Sequence, residues 1–560
     1  MLTRHFKHWP LRLSKELITP ETTLYNNLEI SSKRYPDHVA INYYGQDITY
    51  QQLITEVDAM AGFLQHELGV SKGEKVLLYM QNSPQYIIGY YAILRADAIV
   101  VPLNPMLKTM ELEFYIKDCK IKNAVVSQEL CGNVESLLEK GLLENIITAA
   151  YSDYLPVEFL EELPKQVIHD RKDSNRPNNY LWVDCIGANY NPKKLSSGPD
   201  DLAVIPYTSG TTGYPKGCMH TNRTVQANTV GGASWARTTS NNVHLATLPF
   251  FHVTGMVHSM HVPIYAGSTI VVMTRWNRET ALELINRNKC TNWVAISTMV
   301  IDFIANPNLV AKKISSLTTI SGGGAALPEA VGKRLYEMTG LKFTEGYGLT
   351  ETMSQTHSNP VERPKMQCLG IPSFGVDARI INPNTNKEIG IGEVGEIIVS
   401  GPQIMIGYHN REDENEKVFL NIEGKRFLRT GDIGRYDEDG YFFMVDRIKR
   451  MINSSGYKVW PSEIESYLYK HPAVHQSCVI GVPDSRKGET VKAFIILKEE
   501  FKEQINEEEI IEWSKKHMAA YKYPRFVEFR STLPTTSSGK ILWHKLQEEE
   551  LKKSTGSSRL

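Results

Sequence analysis

Over residues 24–200 short apolar runs alternate with helical patterns, and that alternation leaves few folds open. Glu74–Tyr79 reads as a strand, Pro84–Arg95 as a helix and Ala98–Pro102 as the next strand. Strand, helix and strand in that order favour parallel neighbours joined by a helical crossover. The order returns in Thr269–Met273, Arg278–Lys289 and Asn292–Ile296, and Thr318–Ile320 then leads into a glycine run. The fold expected is α/β: a large N-terminal domain of mixed, mostly parallel sheets covered by helices.

The texture changes twice further on. Between Gly370 and Tyr408, short segments such as Gly375–Asn382 and Gly395–Gly401 are separated by Gly, Pro and Asn turns. These predict a small β-barrel-like unit over about 370–445. From Asp446 a helical pattern at Pro461–His471, strands at Ser477–Gly481 and Val491–Leu497, and a second helical pattern at Asn506–Met518 predict a compact α+β domain of roughly 110 residues, which the family resemblance given below makes mobile. The expected domains are therefore 1–445 and 446–560. The terminal LKKSTGSSRL is polar and reads as frayed.

Composition narrows the function. Lys and Arg number 62 against 63 Asp and Glu, a net charge of -1, which argues against a general nucleic-acid binder. Seven dispersed Cys, at 119, 131, 185, 218, 290, 368 and 478, form neither a C-x-x-C pair nor a zinc spacing. They read as reduced, packed side chains. No apolar run approaches the ~18 residues of a spanning helix. The basic N-terminus with Trp9 lacks the h-region of a secretory signal, though a peripheral membrane contact suits it. A cytoplasmic protein is expected, and a homodimer is compatible with it.

The strongest chemical signal follows Leu202–Tyr207, an apolar run of strand length. It delivers the chain into 208-TSGTTGYPKG-217. Glycines turn backbone N–H groups toward an anion, hydroxyls add neutral donors, and Lys216 adds a point charge suited to phosphate. A Walker A loop would need G-K-[ST], whereas Pro215 precedes Lys216 here and Gly217 follows it.

Four further segments carry matching chemistry. In 344-TEGYGLTET-352, Tyr347 offers an aromatic face beside Gly348, and Glu351 offers the hard oxygen that Mg²⁺ prefers. Thr350 and Glu351 also read locally as a helix N-cap and first turn. In 429-RTGDIG-434, Asp432 follows a glycine and suits a cis-diol. The segment 445-VDRIKRMINSSGYKVWPSEIE-465 sits at the composition break. The segment 534-PTTSSGKILWHKL-546 places Lys540 in a Ser/Thr-rich turn.

Together, and in this order, the five segments resemble those of the adenylate-forming superfamily, which holds acyl-CoA synthetases, peptide-synthetase adenylation domains and luciferases. The wording SGYKVWP is closest to fatty-acyl-CoA synthetases. The resemblance spans roughly Leu24 to Leu546. It implies that Thr208, Ser209, Gly210, Thr211, Thr212, Gly213 and Lys216 cradle ATP phosphates. Thr350 would contact the α-phosphate and Glu351 would hold Mg²⁺. Gly323, Gly324, Tyr347 and Gly348 would face the nucleotide, and Asp432 and Arg447 the ribose. It also implies a hinge at Lys449, a CoA tunnel at Ser455, Gly456 and Tyr457, and a catalytic lysine at Lys540. Asn453 stands where many members carry lysine. The run 247-TLPFFHVTGM-256 and the glycine run 321-SGGGAALP-328 resemble the acyl pocket, with His252, Gly322 and Ala325 lining it. His252 reads equally as a structural histidine.

The reaction implied is ATP-dependent ligation of an acid to CoA through an acyl-adenylate. The apolar residues near the pocket (Phe250, Phe251, Met256, Ile296, Met299 and Met353) favour a medium- or long-chain fatty acid. The alternatives are an aryl-CoA ligase, an acyl-AMP ligase serving a carrier protein, and an inactive nucleotide- or acyl-binding sensor.

Overall fold

A computed structural model describes residues 3–11, 13–156, 163–173, 176–208, 215–324, 327–447, 450–454, 457–484, 488–502, 504–535 and 541–556. The chain divides into two compact units. One comprises Met1–Arg4, Ala378–Val399 and Arg429–Leu560, the other His5–Asp377 and Ser400–Leu428. The 445/446 boundary expected from the sequence falls inside the first unit. Segments on either side of that unit's long gap pair as strands of one sheet, and this backbone ladder outweighs proximity in the chain.

The second unit is built on two nine-stranded sheets. One runs Ile371–Pro372, Ser354–Ser358, Thr344–Leu349, Thr319–Gly323, Asn292–Ala295, Val243–Ala246, Thr269–Val272, Val39–Tyr43, Gln46–Thr49. Its centre is parallel and its two ends are antiparallel. The other sheet is parallel from Asn179–Leu181 through Lys75–Tyr79 to Leu202–Val204, and turns antiparallel at Lys216–Thr221 and Gly407–Tyr408. The strand–helix–strand expectations hold closely. Lys75–Tyr79, Pro84–Arg95 and Ile99–Pro102 form as read. Pro84 occupies the first helical turn, where its missing N–H is harmless. Ser83 caps the helix by accepting from the Tyr86 N–H at 3.1 Å. Tyr86, Ile87, Ile88, Tyr90, Tyr91 and Ile93 are fully buried, which is why this helix is apolar on every side rather than amphipathic.

The first unit holds β strands Asp377–Ile381 and Gly395–Ser400 and, past the long gap, a five-stranded sheet of its own. In that sheet Val474–Asp484 and Gly488–Leu497 form a long antiparallel pair. Helices Pro461–Leu468 and Glu507–His517 agree with the expected α+β texture. All seven cysteines are free and buried. Among the described residues no helix is long and apolar enough to cross a membrane. Trp9 packs edge-on against Trp235 and Phe374, each at 5.2 Å between ring centres, so its apolar face is spent within the protein.

Nine elements position the residues of interest. In the second unit these are β1 (Lys216–Thr221), α1 (Asn222–Trp235), β2 (Thr319–Gly323), β3 (Thr344–Leu349), β4 (Ser354–Ser358), β5 (Gly407–Tyr408) and α2 (Glu412–Val418). Then come β6 (Lys425–Tyr436), along which the chain passes into the first unit, and β7 (Phe442–Arg447).

Candidate functional site

Thr350 and Glu351 sit on a tight hairpin. β3 ends at Leu349, Thr350–Thr352 make one 3₁₀ turn, and β4 returns antiparallel. Thr350 is thus the first residue of the turn itself rather than a helix cap. The turn puts two consecutive non-glycine residues at positive φ, Met353 at 45° and Ser354 at 85°. Such positions are strained by about 1–3 kcal/mol each and persist only where the surroundings fix them. Here Asn228 of α1 does so. Its Nδ2 lies 2.9, 2.8 and 3.0 Å from the carbonyl oxygens of Thr352, Met353 and Gln355. His220 of β1 holds the other side, its Nε2 lying 2.8 Å from the Thr350 carbonyl oxygen. Burial pushes that imidazole down to about 4, so the ring is neutral at pH 7 and its one N–H belongs on Nε2, facing the carbonyl. The Met405 N–H donates to the Glu351 carbonyl oxygen at 2.9 Å.

Glu351 therefore points its carboxylate from a backbone fixed at several places. Its Oε1 accepts from the Tyr408 hydroxyl at 2.7 Å. Lys216 lies over the ring of the same tyrosine, with Nζ 4.4 Å from the ring centre and 2.9 Å from Oε2 of Glu414 on α2. Thr208 and Lys216 are paired in antiparallel register, so both feet of the phosphate loop are set by a strand pair. The adjacent Tyr207 hydroxyl donates to Asp118 at 2.6 Å and anchors that base. Ser209, Gly210, Thr211, Thr212 and Gly213 lie outside the described residues.

The glycine runs carry a packing requirement that the sequence does not disclose. A Cβ on Gly322 would fall 1.8 Å from the Ala295 carbonyl oxygen, and one on Gly323 2.5 Å from that of Gly346. One on Gly348 would fall 1.7 Å from the Ser354 carbonyl oxygen, inside the hairpin that holds Thr350 and Glu351. Gly348→Ala is therefore expected to force β3 and β4 apart and destabilise the protein by about 2–4 kcal/mol. Urea unfolding measures this, and an unchanged midpoint would refute the clash. Gly324 has φ 86°, and Ala325 lies outside the described residues. The Tyr347 ring is half-buried, 5.7 Å from that of His357.

The apolar wall divides. Phe250, Met256 and Met353 are fully buried. Phe250 packs against the Tyr86 ring at 5.5 Å, and the Met256 sulfur accepts from the Tyr90 hydroxyl at 3.5 Å, which makes both part of the core. Phe251, Ile296 and Met299 are only partly buried. His252 is exposed and caps the short helix Val253–Gly255, its Nδ1 accepting from the Thr254 N–H at 3.4 Å.

In the first unit, Asp432 of β6 and Arg447 of β7 stand opposite each other across the ladder, Arg447 Nε 2.9 Å from Asp432 Oδ1. Tyr457 opens the strand Tyr457–Val459. Lys449, Ser455, Gly456 and Lys540 lie outside the described residues.

The structure thus joins Lys216 to Glu351 and Asp432 to Arg447. It also shows residues that sequence reasoning passed over: Tyr408, Glu414, His220 and Asn228. The dipeptide Gly407–Tyr408 at the end of a β segment gives a faint signal for the first, and the others give none. Among the described residues no three His, Cys, Asp or Glu side chains converge as a metal cage. A single oriented carboxylate does fit Mg²⁺, which keeps several waters and binds through one or two carboxylates plus phosphate oxygens.

The family described as AMP-binding enzyme matches residues 28–409, and the one described as AMP-binding enzyme C-terminal domain matches residues 463–540. A long-chain-fatty-acid–CoA ligase of Bacillus subtilis (strain 168) is 35% identical over 553 residues, covering 97% of this chain and 97% of the relative. A feruloyl-CoA synthase of Amycolatopsis sp is 31% identical over 513 residues, covering 90% and 95%. The solved structure of the anthranilate CoA ligase AuaEII in complex with anthranoyl-AMP is similar, with a TM-score of 0.84 at 26% identity, covering 97% of this chain and 100% of that one.

Proposed function

The chain belongs to the AMP-binding enzyme family and is an AMP-forming acyl-CoA synthetase, and from that premise we propose that its acid is a medium- or long-chain fatty acid. A carboxylate is a poor acyl electrophile because its leaving group would be an oxide. Attack of the carboxylate oxygen on the α-phosphorus of ATP forms the acyl-adenylate and expels pyrophosphate. The CoA thiolate then attacks the acyl carbon and AMP leaves. No covalent enzyme intermediate is required, so the protein's task is alignment and neutralisation of charge.

The observation that carries the adenylation chemistry is the contact of both Lys216 and Glu351 with Tyr408, the lysine at its ring and the carboxylate at its hydroxyl. A lysine for phosphate and a carboxylate for the accompanying metal are thereby held at one place. Mg²⁺, when bound, would neutralise phosphate charge, with Glu351 as its protein ligand. Thr208, Ser209, Gly210, Thr211, Thr212 and Gly213 would supply donors to the β- and γ-phosphates, and Thr350 a hydroxyl to the α-phosphate. Tyr347 and Gly348 would border the adenine, with Gly323 and Gly324 beside them, and Asp432 and Arg447 the ribose. Lys540 would stabilise the charge that builds between carboxylate and α-phosphate. We place the hinge at Lys449, at the start of a domain running 446–560. Its rotation would exchange Lys540 for the Ser455–Gly456–Tyr457 turn and open the thiol path. His252, Gly322 and Ala325 would border the acyl group. ATP and CoA are both available in the cytoplasm, where we place the reaction.

Identity to the bacterial long-chain-fatty-acid–CoA ligase over nearly the whole chain supports an aliphatic acid. The similarity to the feruloyl-CoA synthase and to the anthranilate ligase supports an aryl acid as the second reading. Mass spectrometry of products from the purified protein with Mg-ATP, CoA and a panel of C2–C18 and aryl acids decides between them. The expected result is acyl-CoA and AMP in equal amounts, with turnover greatest for about C8–C18 acids by at least tenfold over aryl acids. Preference for an aryl acid would overturn the aliphatic reading, and acyl-AMP without acyl-CoA would point to a carrier protein as acceptor.

A further inference from the structure

We propose that Tyr408 is a positioning residue that couples the phosphate-loop lysine to the metal carboxylate, its ring fixing Lys216 and its hydroxyl aiming Glu351. The proposal rests on the reading of those two residues given above. Tyr408 stands in β5, directly opposite Cys218 in the antiparallel ladder with β1, so its backbone is set by the strand that begins at Lys216. The side chain is buried, 3% exposed, and has no freedom to leave. Its hydroxyl donates to Glu351 Oε1 at 2.7 Å. With Oε1 engaged, Oε2 of Glu351 is the oxygen left for a hard cation.

The lysine arm is a separate contact. A Lys216 ammonium 4.4 Å from the ring centre is in cation–π range. Its other partner, Glu414, also lies near Lys417, at 3.8 Å. When Lys216 turns to phosphate, Glu414 therefore keeps a cation beside it, while the Tyr408 ring remains under the lysine stem. The two arms leave the tyrosine by different atoms, so substitution separates them. Tyr408→Phe removes the hydroxyl and keeps the ring, whereas Tyr408→Leu removes both.

The test is calorimetric titration of ATP into the full chain, without acid or CoA, at a series of Mg²⁺ concentrations and with EDTA. Tyr408→Phe is expected to raise the Mg²⁺ concentration for half-maximal tightening of ATP by about three- to tenfold, with metal-free ATP affinity unchanged. Tyr408→Leu is expected to do the same and also weaken metal-free ATP about two- to fivefold. Glu351→Gln and Lys216→Ala provide the references for the two arms. If Glu351→Gln shifts the Mg²⁺ requirement and Tyr408→Phe does not, the positioning role is overturned while the metal reading stands. If Glu351→Gln leaves the Mg²⁺ requirement unchanged, the metal reading fails and the proposal with it. A Tyr408→Phe protein that binds less ATP at every Mg²⁺ concentration by the same factor would show a merely structural role and also overturn it. Thermal melting checks folding, and should the leucine variant not fold, the phenylalanine variant decides the carboxylate arm alone.

Discussion

Replacing Lys540 with alanine lowers the rate of adenylate formation by about 10²–10³-fold, the range seen when one donor to developing negative charge is removed. The acid's carboxylate and the α-phosphate are both anionic, and they must approach while charge shifts onto the bridging oxygen. A lysine at that point acts chiefly in the transition state. Its loss therefore lowers the rate while ATP affinity changes by no more than about threefold. Thioester formation from supplied acyl-adenylate and CoA should be nearly unaffected if, as proposed above, rotation at Lys449 carries Lys540 away for the second half-reaction. Isotope exchange between pyrophosphate and ATP measures the first half-reaction, and acyl-CoA formation from synthetic acyl-adenylate the second. Equal losses in both would show that Lys540 is not specific to adenylation. Persistence of exchange at the parent rate would remove it from the mechanism altogether.

Acidification is expected to destabilise the protein steeply below pH 6.5, through histidines buried in the second unit. His5, His220, His244, His261 and His357 are at most 4% exposed. Burial, helped at His5 by the Lys15 charge, pushes them down to about 4, 4, 3, 3 and 3 respectively, from an unfolded value near 6.5. Between those values the unfolded chain binds protons that the folded chain refuses. Stability is thus full above pH 6.5 and falls as pH drops below it. Carboxyls raised by burial act in the opposite sense, Glu345 most clearly, since it is pushed up to about 7 despite N–H groups donating to both of its oxygens. With that offset, unfolding near pH 5.5 should take up about three to four protons, a loss of about 4–5 kcal/mol per pH unit. That is a large fraction of the 5–15 kcal/mol typical of a native protein. Urea midpoints from pH 8 to pH 5 test this, and a flat profile would refute it. His244→Gln should flatten the slope by about one proton, since it removes one of the five sites.

The histidines illustrate what a sequence hides. A lone His has no neighbours in sequence that declare its burial, and only His252 drew attention as a functional candidate. It proves exposed, while five others are sealed inside. The same limit applies to the apolar wall. Phe250 and Met256 were apolar and near the right motif, but a side chain's direction depends on the helix packed against it, here Pro84–Arg95. The glycines carry a second requirement that their sequence context does not show: at Gly322 and Gly348 the Cβ side is filled by the backbone of neighbouring strands.

By itself the sequence determined the order of strands and helices, the mostly parallel sheets, and the run of anion donors that follows the strand Leu202–Val204. These are local properties, because periodicity, caps and turn residues act over a few positions, and a run of anion donors is chemically complete within ten residues. Only the tertiary structure decided that Lys216 and Glu351 share one tyrosine, that Asn228 and His220 hold the hairpin between them, and that strand pairing joins Ala378–Val399 to the unit containing Arg429–Leu560. Each of those contacts links residues far apart in the chain. Its energy depends on distance and burial after folding, and no local pattern at either end records it.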